Sequence, residues 1–73
     1  MKGYRLTDHA KKRMIERGIS IKEVELALLK PDIIQSSFSK RKIFVKFVKI
    51  KRLEVVTVEK GNQIIVVTLY YAH

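Results

Sequence analysis

Three residues near the start of the chain have side chains suited to proton transfer and phosphate binding. His9, Arg13 and Arg17 recur every four residues, a spacing that places them along one side of an α-helix. The side chain of His9 is an imidazole, a group that can both take up and release a proton. The guanidinium groups of Arg13 and Arg17 can hold a phosphate through paired hydrogen bonds. The spacing therefore indicates a site for chemistry on a phosphate ester.

Cleavage of RNA is the reaction that these groups could support without a metal ion. RNA supplies its own nucleophile, the 2′-hydroxyl, and the protein must supply a base, an acid and a cation for the phosphate. His9 and Arg13 are candidates for two of these roles, and Tyr70 or His73, near the end of the chain, for the remaining acid–base group. A structural alternative stays open, in which His9 bonds locally and the arginines of the helix pair with Glu16.

A second feature is a run of positive charge from residue 40 to residue 52, which contains no acidic residue. We expect its cations, together with Arg17, to bind nucleic acid. They are Lys40, Arg41, Lys42, Lys46, Lys49, Lys51 and Arg52. The alternative is that the lysines protect an exposed strand from edge-to-edge pairing.

The alternation of a β-strand divides this run between two faces of a sheet. The set predicted to face the core is Ile43, Val45 and Phe47. Lys42, Phe44 and Lys46 are then expected on an open face, where lysines would hold a phosphate backbone and the aromatic ring would stack on one base.

The composition is that of one small basic domain covering residues 1–73. Of its 73 residues 47% are hydrophobic, and 16 lysines and arginines against 7 acidic residues give a net charge of +9. Such an excess is typical of a protein that binds a polyanion; a solvated surface and an acidic protein partner are the alternatives. The absence of cysteine excludes disulfides and thiolate chemistry. No leader sequence or membrane-spanning run is evident, so we expect a cytoplasmic protein without a membrane partner.

Two helices are predicted in the first part of the chain, after a short extended segment at residues 4–6. The first helix covers residues 8–17, with Thr7 or Asp8 as its cap. Gly18 is its expected left-handed stop.

The second helix has a clear beginning and end. Ser20 and Glu23 form a capping box, and Ile19 can pack on Val24 across the cap. Pro31 ends the helix, because the residue before a proline avoids the helical conformation.

Strands are predicted after the helices, at residues 33–35, 41–49, 53–59 and 63–71. The last strand is apolar on both faces and is expected to be central, and short connections favour a meander. The fold class is therefore α+β, with two N-terminal helices packed on one face of a three- to four-stranded antiparallel sheet.

Several motifs are absent from the sequence. There is no glycine-rich phosphate loop, no histidine pair at metal-binding spacing, no paired carboxylates, no serine in a nucleophile elbow and no DNA-specific motif. We expect neither a metal ion nor a cofactor.

The first helix carries a pattern found in a known family. The run His9-Ala10-x-x-Arg13-Met14-x-x-Arg17-Gly18-Ile19-Ser20, followed by Val24 and by Pro31-Asp32, resembles a small prokaryotic family called domain of unknown function four-two-five-eight. The closing stretch of residues 65–70 resembles the last strand of that family. The family is in turn similar to the barnase-EndoU-colicin-RelE class of metal-independent ribonucleases, which includes RelE and BrnT type toxins.

The resemblance implies a RelE-like fold and an RNA-cleaving toxin that acts on RNA or the ribosome with a small acidic antitoxin. Carried over by position, it assigns His9 and Arg13 to the site on the helix, with Thr68 or Tyr70 on the last strand. Two other functions stay open from the residues: a non-catalytic RNA- or ribosome-binding module, and a basic protein-interaction domain.

Overall fold

The computed structural model describes residues 3–72, so His73 lies outside the described residues. Within that range the chain forms two helices and a five-stranded sheet. In order, the elements are β1 (Gly3–Leu6), α1 (Asp8–Arg17), α2 (Ile21–Leu29), β2 (Ile33–Ser36), a 3-10 turn (Phe38–Lys40), β3 (Lys42–Val48), β4 (Lys51–Lys60) and β5 (Gln63–Ala72). Over this part of the chain, no helix has the length and apolar character required to cross a membrane.

The helices begin and end where their capping residues predict. Thr7 rather than Asp8 caps α1, since its hydroxyl accepts a hydrogen bond from the Ala10 N–H at 3.1 Å. Gly18 ends α1 in the left-handed conformation, with φ of 64°. The capping box of Ser20 and Glu23 is present at the start of α2. Both helix boundaries are therefore determined by local chemistry.

The sheet differs from the prediction in its size and in one pairing. Its strand order is β1-β5-β4-β3-β2, and β2 to β5 form the expected antiparallel meander with β2 at one edge. The correction concerns β1, a fifth strand that pairs in parallel with β5. A hydrogen bond from the Thr7 N–H to the Val66 carbonyl, 3.2 Å, continues this pairing to the cap of α1. Only four residues form β1, and so short a segment has no periodicity that would reveal its partner.

Both helices pack on the same face of the sheet. Ala10 of α1 and Val24 of α2 are fully buried there with Leu53, Val55 and Leu69 of the two long strands. Burying one such leucine stabilises the fold by roughly 1.5–3 kcal/mol. Because α1 lies against β5 and α2 lies against β3 and β4, each helix covers a different part of the sheet.

The predicted faces of β3 are reversed in the structure. Phe44 and Val48 pack in the core below the helices, and Phe44 is only 8% exposed. Ile43, Val45 and Phe47 lie on the opposite face, where Val45 is fully buried, as predicted, and Phe47 is half exposed. The expected open face of lysines around Phe44 is therefore wrong.

Lys46 shows why the helix-covered face tolerates a lysine. Its Nζ donates a hydrogen bond of 2.9 Å to the Lys30 carbonyl at the end of α2 and lies 3.6 Å from Asp32 Oδ1. The C-terminus of a helix carries partial negative charge and favours a cation. Lys46 is thus satisfied at the margin of the core.

Candidate functional site

The predicted pair on α1 is in contact. Arg13 Nε donates a hydrogen bond to His9 Nε2 at 3.4 Å, which confirms that the imidazole and the guanidinium lie together. Arg13 Nη1 also donates to Glu16 Oε1 at 2.9 Å. The arginine therefore joins an imidazole and a carboxylate on the exposed side of the helix. We call His9, Arg13 and Glu16 the helix cluster.

The helix cluster combines features of both sequence-based interpretations. The ion pair with Glu16 is the structural alternative, but Arg13 and Glu16 side chains are 37% and 42% exposed. An ion pair in contact with water contributes about 1 kcal/mol or less. Arg13 can therefore exchange Glu16 for an anionic ligand at little cost. Arg17 is exposed in the last turn of α1 and takes no part in these hydrogen bonds.

Tyr70 is not brought to the helix cluster. It pairs with Glu54 across β4 and β5, and its hydroxyl donates to Glu54 Oε1 at 3.0 Å. The neighbouring residues Leu69 and Val55 are in the core below the helices, so Tyr70 and Glu54 lie on the other face of the sheet. Thr68 shares that face, because it pairs with Val56.

The surroundings of Tyr70 keep its hydroxyl protonated. Burial, and then the hydrogen bond to the Glu54 carboxylate, raise the pKa of Tyr70 above its ordinary value. Arg52 is in the same group, with Nε 2.9 Å from Glu54 Oε2. This Nε is buried and its N–H does not point at an acceptor, so the two side chains form an ion pair without a hydrogen bond from Nε. Arg52 also lies 5.9 Å from the ring centre of Phe47. It is held on the uncovered face of the sheet.

The basic run from residue 40 to residue 52 does not form one surface. Strand β3 separates its two ends by about 20 Å, at roughly 3.3 Å per residue. Lys46 in the middle bonds to the end of α2 and pairs with Asp32. Arg52 forms an ion pair with Glu54. The remaining cations form two groups, one at each end of the strand.

The first group surrounds the turn that precedes β3. A cavity of about 320 Å³ is lined there by Ser36, Ser37, Lys40, Arg41, Lys42 and Glu59. Lys42 Nζ lies 3.6 Å from Glu59 Oε1, whereas Lys40 and Arg41 form no ion pair within residues 3–72. Phe38 follows the lining residue Ser37 in the chain and is 92% exposed. We call these cavity residues together with Phe38 the loop site.

The second group surrounds the turn between β3 and β4. A cavity of about 500 Å³ is lined there by Glu23, Val48, Lys49, Ile50, Lys51 and Tyr71. The Tyr71 hydroxyl donates to Glu23 Oε2 at 2.6 Å, and Lys51 Nζ lies 4.7 Å from the ring centre of Tyr71. Ile50 is fully exposed at the tip of the turn. We call these residues the turn site.

Glu23 and Tyr71 in the turn site were not among the predicted functional residues. Burial, and then the hydrogen bond to Glu23, raise the pKa of Tyr71 to about 12. Burial opposes ionisation of Glu23, but hydrogen bonds from the Ser20 N–H and from Tyr71 hold the pKa of Glu23 below its ordinary value. Tyr71 is therefore a fixed hydrogen-bond donor at neutral pH. The capping motif in the sequence predicts the role of Glu23 at the start of α2, but it gives no sign of the hydrogen bond from Tyr71.

Within residues 3–72, no three histidine, cysteine, aspartate or glutamate side chains are grouped so that they could hold a metal ion. Comparison with protein-family models gives a match over residues 6–71 to the family described as "Domain of unknown function (DUF4258)". This is the family that the α1 motif resembles. No curated protein and no solved structure matches the chain.

Proposed function

The chain belongs to the DUF4258 family, whose description assigns no activity, and from its basic sites we propose that it binds RNA. The observation that carries the proposal is the loop site, where Lys40 and Arg41 line a cavity with two serines, in the loop that also carries the exposed ring of Phe38. Cations and hydroxyls are the groups that bind phosphate oxygens. An exposed ring in the same loop offers a surface for a base.

The distribution of carboxylates supports this proposal. Glu16, Asp32, Glu54 and Glu59 each pair with a cation. Glu23 and Glu25 accept hydrogen bonds from tyrosine hydroxyls. The acidic groups are thus largely occupied inside the domain, while cations of the loop and turn sites face solvent. A surface of this kind attracts a polyanion over several ångströms and loses affinity as salt increases.

The proposal is tested by binding of a labelled single-stranded RNA, measured by fluorescence anisotropy over a series of salt concentrations. We expect affinity to fall linearly with the logarithm of salt concentration, and the Lys40→Ala, Arg41→Ala double variant to have a slope smaller by about 1.4. The matched control is Lys11→Ala, Lys12→Ala, which removes the same charge from α1. Equal losses in the two variants, or tighter binding of polyglutamate than of RNA, would contradict the proposal.

Metal-independent cleavage of RNA is a second candidate, and the helix cluster favours it. Arg13 lies between an imidazole and a carboxylate at 3.4 and 2.9 Å. In the reaction, one of these groups takes the proton of the 2′-hydroxyl, whose oxygen then attacks phosphorus. The P–O5′ bond breaks, the other group, in its protonated form, gives its proton to the leaving oxygen, and a 2′,3′-cyclic phosphate remains. Arg13 stabilises the charge on the phosphate. A relationship to RelE or BrnT type toxins, with an acidic antitoxin as partner, is part of this second proposal.

Cleavage is tested with purified protein and end-labelled RNA in EDTA. We expect products with a 2′,3′-cyclic phosphate. His9→Ala and Arg13→Ala should each lose at least a hundredfold in rate, the usual contribution of a proton-transfer group and of a charge-stabilising group respectively. The RNA affinity of His9→Ala should stay within threefold of wild type. Equal cutting by wild type and by the His9→Ala, Arg13→Ala double variant excludes the helix cluster from the chemistry. Intact RNA after prolonged incubation leaves RNA binding as the function.

A further inference from the structure

The loop between β2 and β3 has an unusual backbone for its sequence. Ser39 and Lys40 both have φ of 61°, in the left-handed region that residues other than glycine rarely enter. Two hydrogen bonds close the loop, from the Ser37 N–H to the Arg41 carbonyl at 2.8 Å and from the Arg41 N–H to the Phe38 carbonyl at 3.3 Å. The backbone of the loop is therefore held in a defined conformation.

Phe38 is placed in water by this arrangement. It is 92% exposed, whereas Phe44 is 8% exposed and Phe47 is half exposed beside Arg52. An exposed phenylalanine gains free energy when a ligand covers it. The residues on either side of it are serines, and two cations follow at positions 40 and 41, so the loop suits a ligand that combines an apolar face with negative charge.

We propose that the loop site binds one nucleotide step of single-stranded RNA, with a phosphate at Lys40, Arg41 and the serine hydroxyls and the adjoining base stacked on Phe38. The proposal rests on the proposed RNA binding and adds the form of RNA and the residues that select it. The cavity of about 320 Å³ accommodates a phosphate group. Glu59 is on its wall with Lys42 at 3.6 Å, which directs the anion towards Lys40 and Arg41.

Stacking on Phe38 distinguishes single strands from duplexes. In a duplex the faces of the bases are already covered by neighbouring bases, so an aromatic side chain cannot stack on them. Phosphate contacts, in contrast, are available in both forms. Phe38 should therefore contribute to the affinity for single strands only.

The experiment compares Phe38→Ala, Phe38→Tyr and wild type on a uridine dodecamer and on duplex RNA of equal length. Ile15→Ala is the matched control, because Ile15 is 84% exposed on α1. We expect Phe38→Ala to bind the single strand about tenfold more weakly, within the range of one stacked base, and the duplex as wild type does. Phe38→Tyr should keep the wild-type affinity. Equal losses on single strand and duplex, or no loss on either, would overturn the stacking.

A second readout separates this proposal from the proposed function. Titration of wild type with uridine monophosphate, followed by amide chemical shifts, should move the signals of residues 36–42. If the dodecamer binds but those signals stay in place and Phe38→Ala is unaffected, the loop site is wrong and RNA binding stands. If uridine monophosphate moves them and no RNA binds, the loop binds a mononucleotide only, and both RNA binding and the nucleotide-step proposal are wrong. If neither ligand binds, both are wrong.

Discussion

Tyr71 gives the sharpest test at the scale of single residues. Its hydroxyl donates to Glu23 Oε2 at 2.6 Å and joins the end of β5 to the start of α2. Replacing Tyr71 with phenylalanine removes this hydrogen bond and leaves the ring in place. We expect the free energy of unfolding at pH 8 to fall by about 1.5 kcal/mol, as for a hydrogen bond to a charged group. Urea unfolding followed by circular dichroism measures the change.

The same pair predicts a pH dependence. The pKa of Tyr71 is raised to about 12 in the folded state, while the unfolded tyrosine titrates near 10. The stabilisation is therefore complete below pH 10 and is lost as pH rises towards 12. The difference between wild type and Tyr71→Phe should shrink over this interval. A difference that is constant from pH 8 to pH 12 would exclude the hydrogen bond as its source.

Contacts between residues could be predicted from the sequence where they are local. His9 and Arg13 meet because residues four apart on a helix are neighbours, and their contact is confirmed. Tyr70 could not be placed in this way. Both faces of β5 are apolar, so the sequence does not indicate which face turns towards the helices, and a register shift opposite Val56 and Thr57 changes the alternation along the strand.

At the scale of elements, Gly18 determines where α1 ends. Its φ is 64°, and a Cβ atom at this position would meet nothing within 4 Å. The cost of Gly18→Ala is therefore the left-handed backbone alone, and we expect a loss of about 1 kcal/mol in the free energy of unfolding. Gly3→Ala is the control, because the site is equally open and lies in a β-strand. Equal thermal stability of the two variants would contradict this account.

The reversed faces of β3 can be tested through Lys46. In the structure its Nζ is bonded to the end of α2, so Lys46→Met should lower the free energy of unfolding by about 1 kcal/mol. RNA affinity should stay within twofold of wild type, in contrast to the Lys40→Ala, Arg41→Ala variant. If Lys46→Met instead binds RNA as weakly as that double variant and unfolds as wild type does, Lys46 faces the ligand after all.

The faces of β3 could not be predicted because both contain apolar residues. Ile43, Val45 and Phe47 form a regular apolar series, and the other face combines two lysines with Phe44 and Val48. The alternation was correct and its assignment was wrong, since a lysine at the margin of the core can reach a helix terminus. The helices, in contrast, have caps whose chemistry is local, and their boundaries are confirmed.

At the scale of the whole molecule, the distance between the loop site and the turn site predicts how affinity depends on RNA length. About 20 Å of β3 separates them, so a dinucleotide reaches one site, while a dodecamer is long enough to contact both, as expected for single-strand sites of about 4–16 nucleotides. The variant Lys49→Ala, Lys51→Ala should bind the dodecamer several-fold more weakly and with a salt slope smaller by about 1.4. Its affinity for a uridine dinucleotide should equal that of wild type, because the loop site is intact.

Isothermal titration calorimetry with both ligands makes the comparison, with Lys11→Ala, Lys12→Ala as the charge-matched control. If the dodecamer binds the Lys49→Ala, Lys51→Ala variant as tightly as it binds wild type, RNA does not contact the turn site in addition to the loop site.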